Sequence, residues 1–154
     1  MLDFAWTPHR WFLVAYRIIP IPEANALVEV YDGPQRLDDL LRLKEEELAR
    51  GLIRRNVMTI ADLRTASLDI TRVEAKAYAA WHQEHNPEQI GSRTALLVTD
   101  SKLEQQLYQL YTEAIEPIRT MQVFDNLTSA LGWLGLDPTI VASVWAESSK
   151  ELGN

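Results

Sequence analysis

The chain has 154 residues, 47% of them hydrophobic and 24% charged, with 22 acidic against 15 basic side chains and a net charge of −7. A chain of this length buries roughly 68–70% of its unfolded surface, so it needs no disulfide or metal to build a core, and its composition excludes disorder, collagen-like repeats and a disulfide scaffold. The acidic balance removes the main electrostatic term for binding nucleic acid, and the lack of cysteine excludes thiolate-held zinc, iron–sulfur clusters and thiol catalysis.

The most apolar early stretch, Trp11 to Tyr16, is followed by Arg17 and broken by Pro20 and Pro22, with Asp3 where a secretory leader carries basic residues. No later segment holds the ~18 uncharged apolar residues that a membrane span requires. The expectation is a cytoplasmic chain with no integral membrane association. No repeat or long linker divides it, so one domain over residues 1–154 is expected.

In chain order, Trp11 to Ile19 is rich in β-branched and aromatic residues and reads as a strand. Ala26 to Tyr31 reads as a second strand, ended by the turn signal Asp32-Gly33-Pro34. The short link predicts an antiparallel hairpin. From Gln35 to about Leu52 the residues Leu37, Leu40, Leu41 and Leu48 recur at helical spacing. Asp38, Asp39, Lys44, Glu45 and Glu46 fall on the opposite, solvent face. Asn56 to Leu63 alternates as a strand. A helix from Thr71 to before Pro87 is expected to turn Val73, Ala77, Ala80 and Trp81 inward.

Arg93 to Thr99 is nearly continuous in apolar residues, the mark of a strand covered on both faces. Lys102 to Glu116 carries Leu103, Leu107, Leu110 and Ala114 on one stripe and ends at Pro117. A short strand over Arg119 to Phe124 and a short helix over Leu127 to Leu134 follow. Asp137 and Pro138 supply an N-cap and a first-position proline for a last helix. Strand–helix alternation after an opening hairpin implies an α/β fold: a mostly parallel four- to five-stranded sheet, helices on one face, and an additional C-terminal helix.

This order and two of its segments resemble the SpoIIAA-like (STAS/SEC14-like) domains of bacteria. Ile60-Ala-Asp-Leu-Arg-Thr-Ala-Ser-Leu-Asp-Ile-Thr71 is similar to that family's third strand, following loop and second-helix start. Met121-Gln-Val-Phe-Asp-Asn-Leu-Thr-Ser-Ala-Leu-Gly-Trp-Leu134 is similar to its closing strand and helix, and Gly91 to Asp100 falls where its fourth strand stands. The match covers about residues 10–135, with the helix at 137–152 outside it. The resemblance implies action through binding proteins, as in anti-sigma-factor antagonists switched by phosphorylation where the second helix begins. That position corresponds to Thr71, with Asp69 and Arg72 adjacent. The antagonists read Asp-Ser-Ser-Gly there, whereas this chain reads Leu68-Asp69-Ile70-Thr71.

The residues also have simpler readings. Thr71-Arg72-Val73-Glu74 is a capping box, and Ser101 to Glu104 repeats the pattern. His82 and His85 are three apart, unlike the four-residue step of helical zinc motifs, and are expected as a solvated helix end. No nucleophile elbow or phosphate loop occurs, so neither catalysis, metal nor cofactor is expected. Arg50, Arg54 and Arg55 form the one basic cluster, readable as a helix C-terminus or as a patch for anionic head groups or an acidic partner.

Ile140, Val141, Val144 and Trp145 form an apolar stripe on the last helix. It either covers the open sheet face or docks on another subunit, and a homodimer through this helix, the sheet face or both is the expectation. Two functions follow: a non-catalytic regulatory or protein-interaction domain, or alternatively a carrier of an apolar small molecule or lipid beneath the second and third helices.

Overall fold

A computed structural model describes residues 16–85, 92–114 and 120–153, with side chains described for 16–85, 92–109 and 120–148. Five strands form one sheet in sequence order: β1 (Tyr16–Ile21), β2 (Ala26–Gln35), β3 (Met58–Leu68), β4 (Arg93–Leu97) and β5 (Thr120–Phe124). β1 and β2 are the antiparallel hairpin, and the other neighbours are parallel. The helices are α1 (Leu37–Ala49), α2 (Arg72–His85), α3 (Ser101–Ala114), α4 (Leu127–Leu134) and α5 (Pro138–Gly153). The expected Trp11–Ala15 part of the first strand lies outside the described residues.

β2 does not stop at Asp32. It runs on to Gln35, pairing Asp32, Gly33 and Pro34 with Thr65, Ala66 and Ser67 of an equally lengthened β3. The register shifts between Val30 and Asp32, where β3 carries one extra residue. Among the described residues β1 ends opposite Tyr31.

The helices cover both faces of the sheet rather than one. Walking one way across a parallel sheet with right-handed crossovers puts every connecting helix on the same side. Thus α1, α2 and α3 pack Leu40, Leu43, Tyr78, Ala79, Leu103 and Leu107 over Ala61, Leu63, Leu96 and Val98. α4 and α5 follow the last strand and are free of that constraint. They cover the other face, burying Ala130, Leu131, Leu134 and Val141 against Ile19, Val28, Ile60 and Leu97. The near-continuous apolar run of β4 is explained by this double cover.

Candidate functional site

Parallel strands end together, so the loops leaving β2, β3 and β4 meet at one rim with the first turns of α1, α2 and α3. Thr71 sits there as the N-cap of α2: its Oγ1 accepts the Glu74 N–H at 3.1 Å, and the Glu74 carboxylate accepts the Thr71 N–H at 2.8 Å. The capping box is formed as expected, and both partners' bonds are exposed to solvent. The Asp69 N–H donates to the Gln35 carbonyl at 2.8 Å, tying the loop to the end of β2. The Asp69 carboxylate lies 3.9 Å from Arg36 Nε, a loose pair with both side chains 76% exposed.

Beside Thr71 a cleft of about 190 Å³ opens between α2 and α3. Leu68, Ile70 and Ala75 give it an apolar floor, while Thr71, Arg72, Gln106 and Gln109 supply polar walls. Gln106 is held by its amide, which donates to the Leu68 carbonyl at 3.3 Å. Val73, one residue past Arg72, is 78% exposed. The structure thus gathers Asp69, Thr71 and Arg72 on one rim and adds Gln106 and Gln109, which sequence reasoning missed. No local pattern marks those two, because the cleft joins segments 38 residues apart.

The inward face of α2 differs from expectation. Tyr78, Ala79 and His82 are buried, whereas Val73, Ala77 and Ala80 are exposed and Trp81 is half-buried. His82 is accordingly no solvated helix end: it is fully buried, edge-on to the Tyr78 ring at 4.6 Å. It lies eleven residues along α2 from Thr71, about 16 Å at 1.5 Å per residue, too far to act on that hydroxyl. His85 stacks on Trp81 at 4.5 Å. Among the described residues no group of three His, Asp or Glu side chains is arranged to hold a metal. The cap of α3 is also displaced by one: Asp100, not Ser101, accepts the Lys102 N–H at 2.9 Å.

A buried ionic cluster under α1 is the other missed feature. Lys44, expected on the solvent face, is buried with its Nζ 2.7 Å from Glu29 Oε2 and 3.3 Å from Glu47 Oε1. The Tyr31 hydroxyl donates to Glu29 Oε1 at 3.1 Å. The sequence does carry the signal. Glu29 alternates with Leu27 and Tyr31 on the inward face of β2, and Lys44 and Glu47 continue the Leu37–Leu40 stripe. Close to the surface, Tyr16 donates to Glu46 at 3.1 Å, and burial together with that bond pushes its pKa up to about 12. Asp62 grips Arg64 through two 2.9 Å bonds and holds the guanidinium more firmly in its charged form.

The apolar stripe of α5 packs on the second sheet face. Val141 is fully buried inside the chain, and Ile140, Val144 and Trp145 are half-buried on the same cluster beside β1. Val141 is therefore closed to any second subunit, because α5 supplies the cover that the second sheet face lacks. Beneath α2 and α3, where an apolar ligand was to sit, Leu63, Val98, Leu103 and Leu107 are buried together. Among the described residues no helix is long and apolar enough to cross a membrane.

No family model matches the chain, and no curated protein does. Solved structures do. An uncharacterized protein of the DUF3478 family with a SpoIIAA-like fold, from Shewanella loihica PV-4, superposes with a TM-score of 0.54 at 16% identity, over 78% of this chain and 92% of that one. The anti-sigma factor antagonist SpoIIAA in its unphosphorylated form gives 0.47 at 10% identity, over 75% and 92%. The first likeness, with the strand order above, shows that the fold is SpoIIAA-like.

Proposed function

We propose that this SpoIIAA-like fold serves as a non-catalytic, cytoplasmic regulatory or interaction domain that receives a protein partner at the rim around Asp69, Thr71 and Arg72. The observation that carries the reading is the exposed Thr71 hydroxyl on the lip of the α2–α3 cleft, with Val73 bare beside it. A partner side chain of moderate size fits a floor of Leu68, Ile70 and Ala75, and the Gln106 and Gln109 amides suit a peptide backbone. The proposed switch is a phosphate on Thr71. It would meet the positive end of α2 and the neighbouring Arg72, and it would repel the Glu74 carboxylate now folded onto the Thr71 N–H.

The test uses the tagged full-length chain in its own cells, comparing the wild type with Gln109→Trp and Thr71→Asp. Tryptophan at 109 fills the cleft from an exposed helix position. Aspartate at 71 keeps a good N-cap, so its effect reports charge rather than folding. A partner recovered with the wild type and depleted with both variants supports the reading. Equal recovery with all three overturns it. The alternative of an apolar carrier draws no support from the packed side chains beneath α2 and α3.

A further inference from the structure

The opposite rim of the sheet differs in charge. Three exposed carboxylates, Asp69, Asp100 and Asp125, lie just past the C-terminal ends of β3, β4 and β5, and a fourth, Asp32, lies three residues before the end of β2. At the N-terminal ends stand four exposed arginines: Arg50, Arg54 and Arg55 in the α1–β3 connection, and Arg93 opening β4. Residues 48–58 contain no acid at all, in a chain of net charge −7. Arg50 pairs with Glu46 at 3.1 Å. Among the described residues no carboxylate lies within 4 Å of Arg54 or Arg55. Among the described side chains, Glu46 near the end of α1, Glu23 in the hairpin turn and Glu84 in the last turn of α2 are acids of this rim.

Serving the C-terminus of α1 does not explain Arg54 and Arg55. That helix is already closed at Gly51 (φ 69°), where the N–H groups of Arg50, Gly51 and Leu52 donate to Glu46, Leu48 and Glu47. The loop beyond is held in place by its backbone. The Arg54 carbonyl accepts from Ser92 at 3.5 Å and the Arg55 carbonyl from the Asn25 amide at 3.2 Å, while Val57 is fully buried. Both guanidinium groups are left outside a fixed loop. Apolar groups alternate with them: Leu48 is 41% exposed, and Leu52 and Ile53 are half-buried. At the same rim the half-buried Trp133 carries the Arg93 guanidinium 5.4 Å above its ring.

We propose that this rim docks on an anionic lipid surface. Arginine binds phosphate by paired N–H bonds, and leucine, isoleucine and tryptophan beside it are the groups that settle at the head-group boundary. The acidic opposite rim orients the molecule with its arginines toward the negative surface. An acidic peptide would meet the same charges, but the interleaved apolar side chains on a chain-reversal loop suit a broad interface better. The docking is peripheral and independent of the Thr71 site at the far end of the sheet.

The full chain is sedimented with vesicles of phosphatidylcholine alone and of phosphatidylcholine with one third phosphatidylserine, at low and physiological salt. The expected result is binding to the anionic vesicles only, weakened by salt and reduced about tenfold in Arg54→Glu/Arg55→Glu, whose circular dichroism and melting match the wild type. No binding, equal binding to neutral vesicles, or an unchanged double variant overturns the proposal. Poly-glutamate binding that depends on Arg54 and Arg55, without vesicle binding, also overturns it and gives the rim to an acidic protein.

Discussion

Lys44 of α1 and Glu29 of β2 form a 2.7 Å ion pair in which the two side chains are only 1% and 2% exposed. Glu47 adds a second carboxylate to the same ammonium, and Tyr31 donates to Glu29. Burying three charges is costly, and their mutual attraction offsets the desolvation only while the set is complete. Lys44→Met should therefore destabilise the fold by about 3–5 kcal/mol in urea unfolding, because it removes the ammonium that binds two buried carboxylates. The combined Glu29→Leu, Tyr31→Phe, Lys44→Met and Glu47→Leu chain should be neutral, or more stable by as much as ~4 kcal/mol. A neutral Lys44→Met would show that the cluster is hydrated rather than sealed.

Thr71 has a capping role that is separable from recognition. Thr71→Ala should cost about 1 kcal/mol, and Thr71→Ser or Thr71→Asp should restore it, since each offers an oxygen to the Glu74 N–H. Denaturant midpoints of the three variants measure this. If alanine costs nothing, the observed box contributes no stability and the exposed hydroxyl is free for recognition alone.

Tyr16 gives a pH signature at the alkaline end. Burial and the bond to Glu46 raise its folded pKa from 10.0 to about 12, so the neutral phenol is favoured in the folded state. The contribution is fully present below pH 10, falls as the unfolded chain ionises, and is lost as pH rises through about 12. The stability gap between wild type and Tyr16→Phe should be constant below pH 10 and shrink above it. A gap that widens with alkalinity would contradict the assignment.

The terminal helix is a structural cover, and this too has a test. Val141→Ala should cost about 2 kcal/mol by leaving a cavity beside Ile19 and Val28. Ending the chain at Gly135 should expose the second sheet face and bring dye binding and aggregation. A truncated chain that stays monomeric with unchanged melting would mean that α5 covers nothing the fold requires.

Much of this architecture is legible in the sequence because alternation and helical spacing are strong where burial is one-sided. All five strands and five helices stand near their expected places, as do the Thr71–Glu74 and Asp137–Pro138 caps. The phase of α2 is not legible, for a particular reason. Ala75, Ala77, Ala79 and Ala80 put small apolar residues on several faces, so periodicity cannot choose among them and tertiary packing selects Tyr78, Ala79 and His82. Lys44 and Glu47 escape because hydropathy treats them as surface groups, whereas here the buried Lys44 ammonium sits between the carboxylates of Glu29 and Glu47. The extension of β2 through Gly33 and Pro34 depends on β3 lying alongside, a long-range fact no local turn signal contains. The rim of Asp69, Thr71 and Arg72 is legible from capping chemistry, but the cleft is not, since α3 provides the wall of Gln106 and Gln109.

The central claim, a protein-binding rim at Thr71, is tested most directly by a photo-crosslinking residue placed at Val73, the exposed position beside the cleft, in cells producing the full-length chain. The control carries the same residue at Thr128 of α4, an exposed position on the other sheet face. The account predicts one discrete crosslinked protein from position 73, absent from the control and lost when Gln109→Trp fills the cleft. No crosslinked protein from position 73, or the same products from both positions, would contradict it.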